Sequence, residues 1–407
     1  MKGPARLVLI NITITIVFLA LLNFVSNLAL FLPGTIKGLF SKKAEETETG
    51  LEFVKTKAEL PNFAEDRELA RLNFQELPKS FDTQYKAFVA WSRESFQGKT
   101  ITIDDNGYRL HENKVKGEHR NKSAYFFGGS TMWGYGVADN QTIPAWFNSV
   151  SGMPSYNKGE GAFTSRQSLA RFVNLLSQGE KIDVAIFYEG INDIGFHCRA
   201  ELEVNEHSRT VQIREILEEF GENKGKKAQE SGEFVKYFDN IFLSGTRQLA
   251  GKVSTKLSNS KKVENKDKAG SKRKLSVDES YICDNSQERA QKVAETLVNN
   301  WEIAHDIAAA RGIKFLAVWQ PVAFIGDPKL DHLEQLWNPE WEDELRLQHE
   351  NVYPILKKVI QERGHEWLLD YTDLFSRDEY IYWDFAHVSS NGNLIIAKQL
   401  YKDIKFP

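Results

Sequence analysis

The sequence of 407 residues is poor in cysteine, close to neutral overall and without a metal-ligand pattern. Each shortage removes a class of protein. Only two cysteines occur, Cys198 and Cys283, so the chain can form no more than one internal disulfide. The nine histidines show no ligand-like pairing with cysteine or carboxylate, and no metal is expected. No glycine-rich loop with an adjacent lysine is present to cradle a phosphate, so no nucleotide cofactor is expected either. A formal net charge of −4 gives no general attraction to nucleic acid. With 41% hydrophobic and 27% charged residues, the remainder reads as an ordinary globular chain.

The N-terminus departs from that average. From Leu7 to Leu32 there is no ionisable side chain, and the run ends at Pro33-Gly34. At about 1.5 Å rise per residue it can cross a hydrocarbon core of roughly 30 Å. A cleaved signal peptide usually has a shorter apolar region and a small-residue cleavage site, which is missing here. Residues 1–33 are therefore expected to be an uncleaved transmembrane anchor. The basic residues on its two sides nearly balance, so charge alone does not orient it.

Residues 34–122 read as a juxtamembrane linker followed by a small mixed extension, with strand-like Thr100 to Ile103 and a turn at Asp105-Asn106-Gly107. From Ser123 onwards, short apolar runs alternate with longer helical patterns. Strands are expected at 124–127, 155–157, 184–188, 313–319 and 367–370, and helices at 165–176, 286–311, 342–363 and 391–401. Asn285 with Glu288 resembles a capping pair, and Gly312 stands where a helix should stop. This alternation predicts an α/β domain over residues 123–407, a doubly wound parallel sheet covered on both faces. It is interrupted by an insertion at about 199–282. Within it, residues 251–275 carry a local charge of +7, and Phe234, Tyr237, Phe238, Ile241 and Phe242 recur at helical spacing.

Four short blocks carry the chemistry. Phe126-Phe127-Gly128-Gly129-Ser130-Thr131 ends the first expected strand, and Asn157-Lys158-Gly159-Glu160-Gly161 follows the second. Gly190-Ile191-Asn192-Asp193 follows the third, and Asp384-Phe385-Ala386-His387 lies near the C-terminus. Ligands of open α/β sheets bind outside the carboxyl ends of the strands, where these blocks fall. In this order they resemble the SGNH hydrolase superfamily, also called GDSL-type esterases and lipases, whose fold is flavodoxin-like. Here Gly-Gly-Ser-Thr stands where many members have Gly-Asp-Ser. That departure, and the stretch Tyr85 to Arg109 with Trp91, are similar to membrane-anchored members acting on acylated saccharides.

The resemblance implies that Ser130 is a nucleophile, His387 its base and Asp384 the residue that orients the imidazole. It implies an oxyanion hole from the N–H groups of Ser130 and Gly159 and the amide of Asn192. Glu160, Glu189 and Asp193 are expected in solvated or capping roles. Trp133, Tyr135 and Trp383 read either as core or as a stacking surface for sugars. The function expected is removal of acyl groups, most simply acetyl, from a carbohydrate in the cell envelope or outside it. Two alternatives stay open: an acyltransferase fed by a separate membrane acyl-donor protein, and a saccharide-binding scaffold without activity. Cys198 and Cys283 bracket the insertion, so a disulfide is expected at its base. Such a bridge would place the domain on the oxidising, extracytoplasmic side of the membrane.

Overall fold

The computed structural model describes residues 56–227 and 280–404, apart from 335, 337 and 338. The expected anchor at 1–33, the aromatic stretch 234–242 and the +7 segment lie outside the described residues. No helix among the described residues is long and apolar enough to cross a membrane. Residues 51–213 and 277–407 group as one compact unit, and it carries the site.

The extension contributes helix α1 (Arg67–Glu76) and two antiparallel hairpins. The first pairs β1 (Thr83–Lys86) with β2 (Ala90–Arg93), and the second pairs β3 (Phe96–Gln97) with β4 (Thr102–Ile103). The five strands β5 (Ala124–Gly128), β6 (Ser155–Asn157), β7 (Val184–Glu189), β8 (Lys314–Trp319) and β9 (Leu368–Asp370) then form one parallel sheet. Their spatial order is β6-β5-β7-β8-β9. Counted from β5 this is the 2-1-3-4-5 order of flavodoxin-like sheets, which reverses between β5 and β7.

Why these segments become strands is visible in their side chains. Central strands of a parallel sheet are buried on both faces and need continuous apolar runs. In β5, Ala124 and Phe126 enter one core cluster while Tyr125 and Phe127 enter the other. Leu316 and Val318 of β8 likewise face one cluster, and Phe315, Ala317 and Trp319 the other. Burying each large apolar side chain stabilises the fold by roughly 1.5–3 kcal/mol.

Nine α-helices lie among the described residues, and those after β5 are α2 (Ser130–Trp133), α3 (Ile143–Ser151), α4 (Ser165–Ser177), α5 (Ile191–His197), α6 (Thr210–Lys227), α7 (Gln287–Ala309), α8 (Pro339–Arg363) and α9 (Ser390–Asp403). Phe147 of α3 and Ile396 and Leu400 of α9 cover one face of the sheet, together with Phe74 of α1. Leu169 and Phe172 of α4, Val293 and Leu297 of α7, and Val352 and Leu356 of α8 cover the other. The cap of α7 differs from expectation: Ser286, not Asn285, is its N-cap, and the Ser286 hydroxyl accepts the Arg289 N–H at 3.2 Å. Helix α6 lies inside the insertion, ahead of the stretch 234–242 whose spacing suggested a helix, at a place where none was expected. Its exposed Ile213, Ile216 and Leu217 supply too weak an amphipathic signal to announce it.

The base of the insertion is closed. Arg199 and Tyr281 form an isolated antiparallel bridge, and the Ile282 N–H donates to Cys198 O at 2.9 Å. A disulfide joins Cys198 to Cys283, whose Cα atoms are 5.1 Å apart, and both residues are buried.

Candidate active site

Strand β5 delivers Ser130 to the carboxyl edge of the sheet through two glycines. Gly128 has φ +153°, and a Cβ there would stand 2.4 Å from the Tyr188 carbonyl oxygen, so a side chain is excluded twice over. A Cβ on Gly129 would lie 2.3 Å from Asn192 Nδ2. Gly129 therefore makes room for the Asn192 amide. Ser130 follows as the first residue of α2, so its own N–H has no intrahelical acceptor.

His387 and Asp384 lie in a loop that folds back on itself, with the Trp383 N–H donating to His387 O at 3.0 Å. Asp384 Oδ1 accepts the N–H groups of Ala386 (2.8 Å) and His387 (2.6 Å). Its Oδ2 is 2.7 Å from His387 Nδ1, and His387 Nε2 is 2.8 Å from Ser130 Oγ. A carboxylate only accepts, so Nδ1 carries the proton and Nε2 is left to accept the serine hydroxyl. Burial by itself raises the Asp384 pKa, but the His387 imidazole and the two backbone N–H groups outweigh it and hold the carboxyl below its ordinary value.

The imidazole is also clamped mechanically. Its ring lies nearly parallel to Tyr135 and to Trp383, each with centroids 5.2 Å away. The extension secures the same loop: Lys57 Nζ donates to Trp383 O at 3.1 Å, and Asn62 Nδ2 to Tyr382 O at 3.0 Å. Trp133 and Trp383 are core residues, which settles one of the two readings left open for them.

The second block requires a correction. The Gly159 N–H donates to Asn157 Oδ1 at 3.0 Å, and Gly159 packs against the backbone of Met132 and Trp133 instead of lining the cavity at Ser130. It is not an oxyanion donor. Gly161 and Ala162 reach that cavity, and the Gly161 N–H is taken by Glu160 Oε1. Ala162 has φ +62°, unusual for a residue with a Cβ. Its N–H makes no hydrogen bond within the described residues. Asn192 does line the cavity, with Nδ2 donating to Phe163 O at 2.8 Å and lying against Gly129. One of its two amide hydrogens is thus committed and the other remains.

The acidic residues expected in solvated or capping roles are all buried. Glu160 is fully enclosed and binds Arg93, its Oε1 lying 3.0 Å from Nε and its Oε2 accepting the Arg93 N–H at 3.0 Å. Arg93 also reaches Ser80 O and the Tyr135 hydroxyl, tying β2 to the ring that stacks on His387. Behind Asn192, Asp193 accepts the Ser165 N–H at 3.1 Å and its hydroxyl at 2.6 Å. Glu189 accepts the Trp301 indole N–H at 2.8 Å. Burial, and for Glu189 also the nearby Asp193, pushes Glu189 up to about 8 and Asp193 to about 6.

The cavity in front of Ser130 measures about 340 Å³. Phe81, Trp91, Tyr135 and the two arginines Arg93 and Arg209 line much of it. Sequence reasoning missed Lys57, Arg93, Ala162 and Arg209. A two-residue strand alternation through Trp91 and Arg93 was the only available signal for one of them.

No protein-family model matches the chain, and no curated protein matches its sequence. Among solved structures it is similar to a GDSL-like lipase from Bacteroides thetaiotaomicron (12% identity, 71% of this chain and 90% of that one, TM-score 0.34). A member of the lipolytic G-D-S-L family from Veillonella parvula matches at 13% identity over 69% of this chain and 97% of that one, TM-score 0.34. An acetylxylan esterase from Geobacillus stearothermophilus matches at 13% identity over 70% and 95%, TM-score 0.33.

Proposed function

We propose that the chain is a serine esterase of the SGNH type that removes acyl groups, most simply acetyl, from a carbohydrate. The observation that carries this reading is the unbroken contact line from Asp384 through His387 to Ser130, at 2.7 and 2.8 Å. Binding or scaffolding needs no such line.

In this reading Ser130 Oγ attacks the ester carbonyl carbon as its proton passes to His387 Nε2. Asp384 stabilises the imidazolium that forms. Negative charge on the carbonyl oxygen is met by the N–H groups of Ser130 and Ala162 and by the uncommitted Asn192 amide hydrogen. Collapse breaks the ester bond, and the departing sugar oxygen takes the proton from Nε2. Water then repeats the sequence on the acyl-serine, releasing the carboxylic acid and restoring the hydroxyl. A cavity of this size with aromatic walls suits a small acyl group beside a sugar ring.

The chain is proposed to be held by its N-terminal apolar run with the catalytic unit on the oxidising side of the membrane. The Cys198–Cys283 bridge supports that placement, since such bonds persist in oxidising compartments. The test is acetate release from acetylated polysaccharides by the purified full chain, beside Ser130→Ala. Release by the wild type alone supports the reading. Equal release by both proteins, or none by either, overturns it.

A further inference from the structure

Resting on the esterase reading of Ser130, we propose that Arg209 makes the site selective for substrates carrying an anionic group, a carboxylate or a phosphate, on the sugar that bears the ester.

Arg209 and Ser130 line the same cavity of about 340 Å³, so a ring whose ester sits on the serine lies within reach of the guanidinium. That guanidinium is held in place. Its central carbon lies 4.5 Å from the Trp91 ring centroid, and Nη1 donates to Thr83 Oγ1 at 3.1 Å. The backbone beneath it is fixed as well, with the Arg209 N–H donating to His207 Nδ1 at 3.2 Å and His207 set edge-on to Trp91. Stacking on an indole positions a guanidinium without consuming its outer N–H donors.

The charge count of the cavity gives the reason for a ligand. Arg93, the other cationic residue of the wall, is paired with Glu160 at 3.0 Å, a carboxylate that it shares with the buried Arg171 at 4.0 Å. Arg209 has no carboxylate partner among the described residues, and no Asp or Glu side chain lines the cavity. One fixed positive charge therefore faces the substrate unanswered. Its fork of donors matches the two oxygens of a carboxylate or a phosphate. Placement by a hairpin (β1–β2) on one side and the start of the insertion on the other makes Arg209 a recognition residue that takes no part in the proton transfers.

The experiment measures equilibrium binding by calorimetry to the Ser130→Ala protein, which cannot turn its ligand over. The ligands are acetylated methyl glucuronoside, its neutral methyl ester, acetylated glucose 6-phosphate and acetylated glucose. We expect an anionic sugar to bind on the order of tenfold more tightly than its neutral counterpart, the size of one charge-assisted hydrogen bond. The preference should be lost in Ser130→Ala/Arg209→Ala, partly restored by Arg209→Lys, and weakened by salt because the group is exposed. Whichever of the two acids binds better identifies the anion as carboxylate or phosphate. Equal binding of charged and neutral sugars, binding of none, or a preference that survives Arg209→Ala overturns the proposal. Hydrolysis of 4-nitrophenyl acetate by the wild type is measured in parallel. Its absence condemns the esterase reading alone, since the binding comparison does not depend on turnover.

Discussion

Two sets of carboxyl groups stand near the carboxyl edge of the sheet, and their surroundings treat them in opposite ways. Asp384 accepts two backbone N–H groups and faces an imidazole, so its charge is favoured despite burial. Glu189 is buried beside Asp193, whose charge adds to its cost of ionising, and it accepts an indole N–H at one oxygen; burial alone raises Asp193 against the Ser165 N–H and hydroxyl that it accepts. Burial alone does not decide whether an acid is charged. The charges and donors around it weigh against that cost, and at Asp384 the facing His387 imidazole adds a lowering that Asp193 does not receive. In the proposed mechanism Asp384 serves the proton transfers, whereas Glu189 and Asp193 form a buried polar floor behind Asn192 in which Glu189 holds its proton to higher pH than Asp193.

The comparison breaks most visibly at Ser130. Ser130→Ala and His387→Ala should each lower kcat by roughly 10⁵–10⁶, since members of such a unit fail together. Asp384→Asn keeps the shape but offers the imidazole the wrong partner, and a loss of roughly 10⁴ is expected. Steady-state kinetics on 4-nitrophenyl acetate, with circular dichroism to show that the variants fold, checks all three. A loss below tenfold in Asp384→Asn would remove the distinction between the two sets. Asn192→Ala should cost roughly 10²–10³ in kcat with little change in KM, because an oxyanion donor acts in the transition state. The same Asn192 variant with raised KM alone would make the residue a substrate contact instead.

The buried pair gives a smaller effect with a definite sign. Glu189 is raised from 4.5 to about 8, so between those values the folded protein keeps a proton that the unfolded chain has released. Its contribution to stability therefore falls as pH rises through that window. Asp384, held below its ordinary value, contributes in the other direction and loses its contribution as pH falls. Glu189→Gln has no proton to release, so its Tm relative to wild type should become more favourable from pH 5 to pH 8. A difference that is constant with pH, or that shrinks, contradicts the assignment. Reduction of the bridge is a further check on stability: Cys283→Ser should cost about 2–4 kcal/mol in denaturant unfolding.

How much of this was readable in the sequence follows from the range of the interactions. Strands β5, β7 and β8 announce themselves because both their faces are buried and their sequences are nearly all apolar. Ser130, Asn192, Asp384 and His387 were legible because the proposed chemistry uses their side chains. Ala162 was not, because its candidate contribution is a backbone N–H, and the search for a glycine led to Gly159. Lys57 and Asn62 steady the His387 loop across more than 300 residues of chain, |i−j| being 326 for Lys57. No local pattern reports such a contact. Arg209 escaped for a similar reason, sitting at the head of an insertion whose composition gave no sign of facing the site.

The central claim is that Ser130 Oγ is activated by His387, and covalent labelling tests it most directly. The full chain is treated with a fluorophosphonate, which reacts with an activated serine, and the adduct is located by mass spectrometry of its peptides. The account predicts one adduct, on Ser130, absent from Ser130→Ala and formed at least about a hundredfold more slowly in His387→Ala. An unlabelled Ser130, or labelling at the same rate without His387, would contradict it.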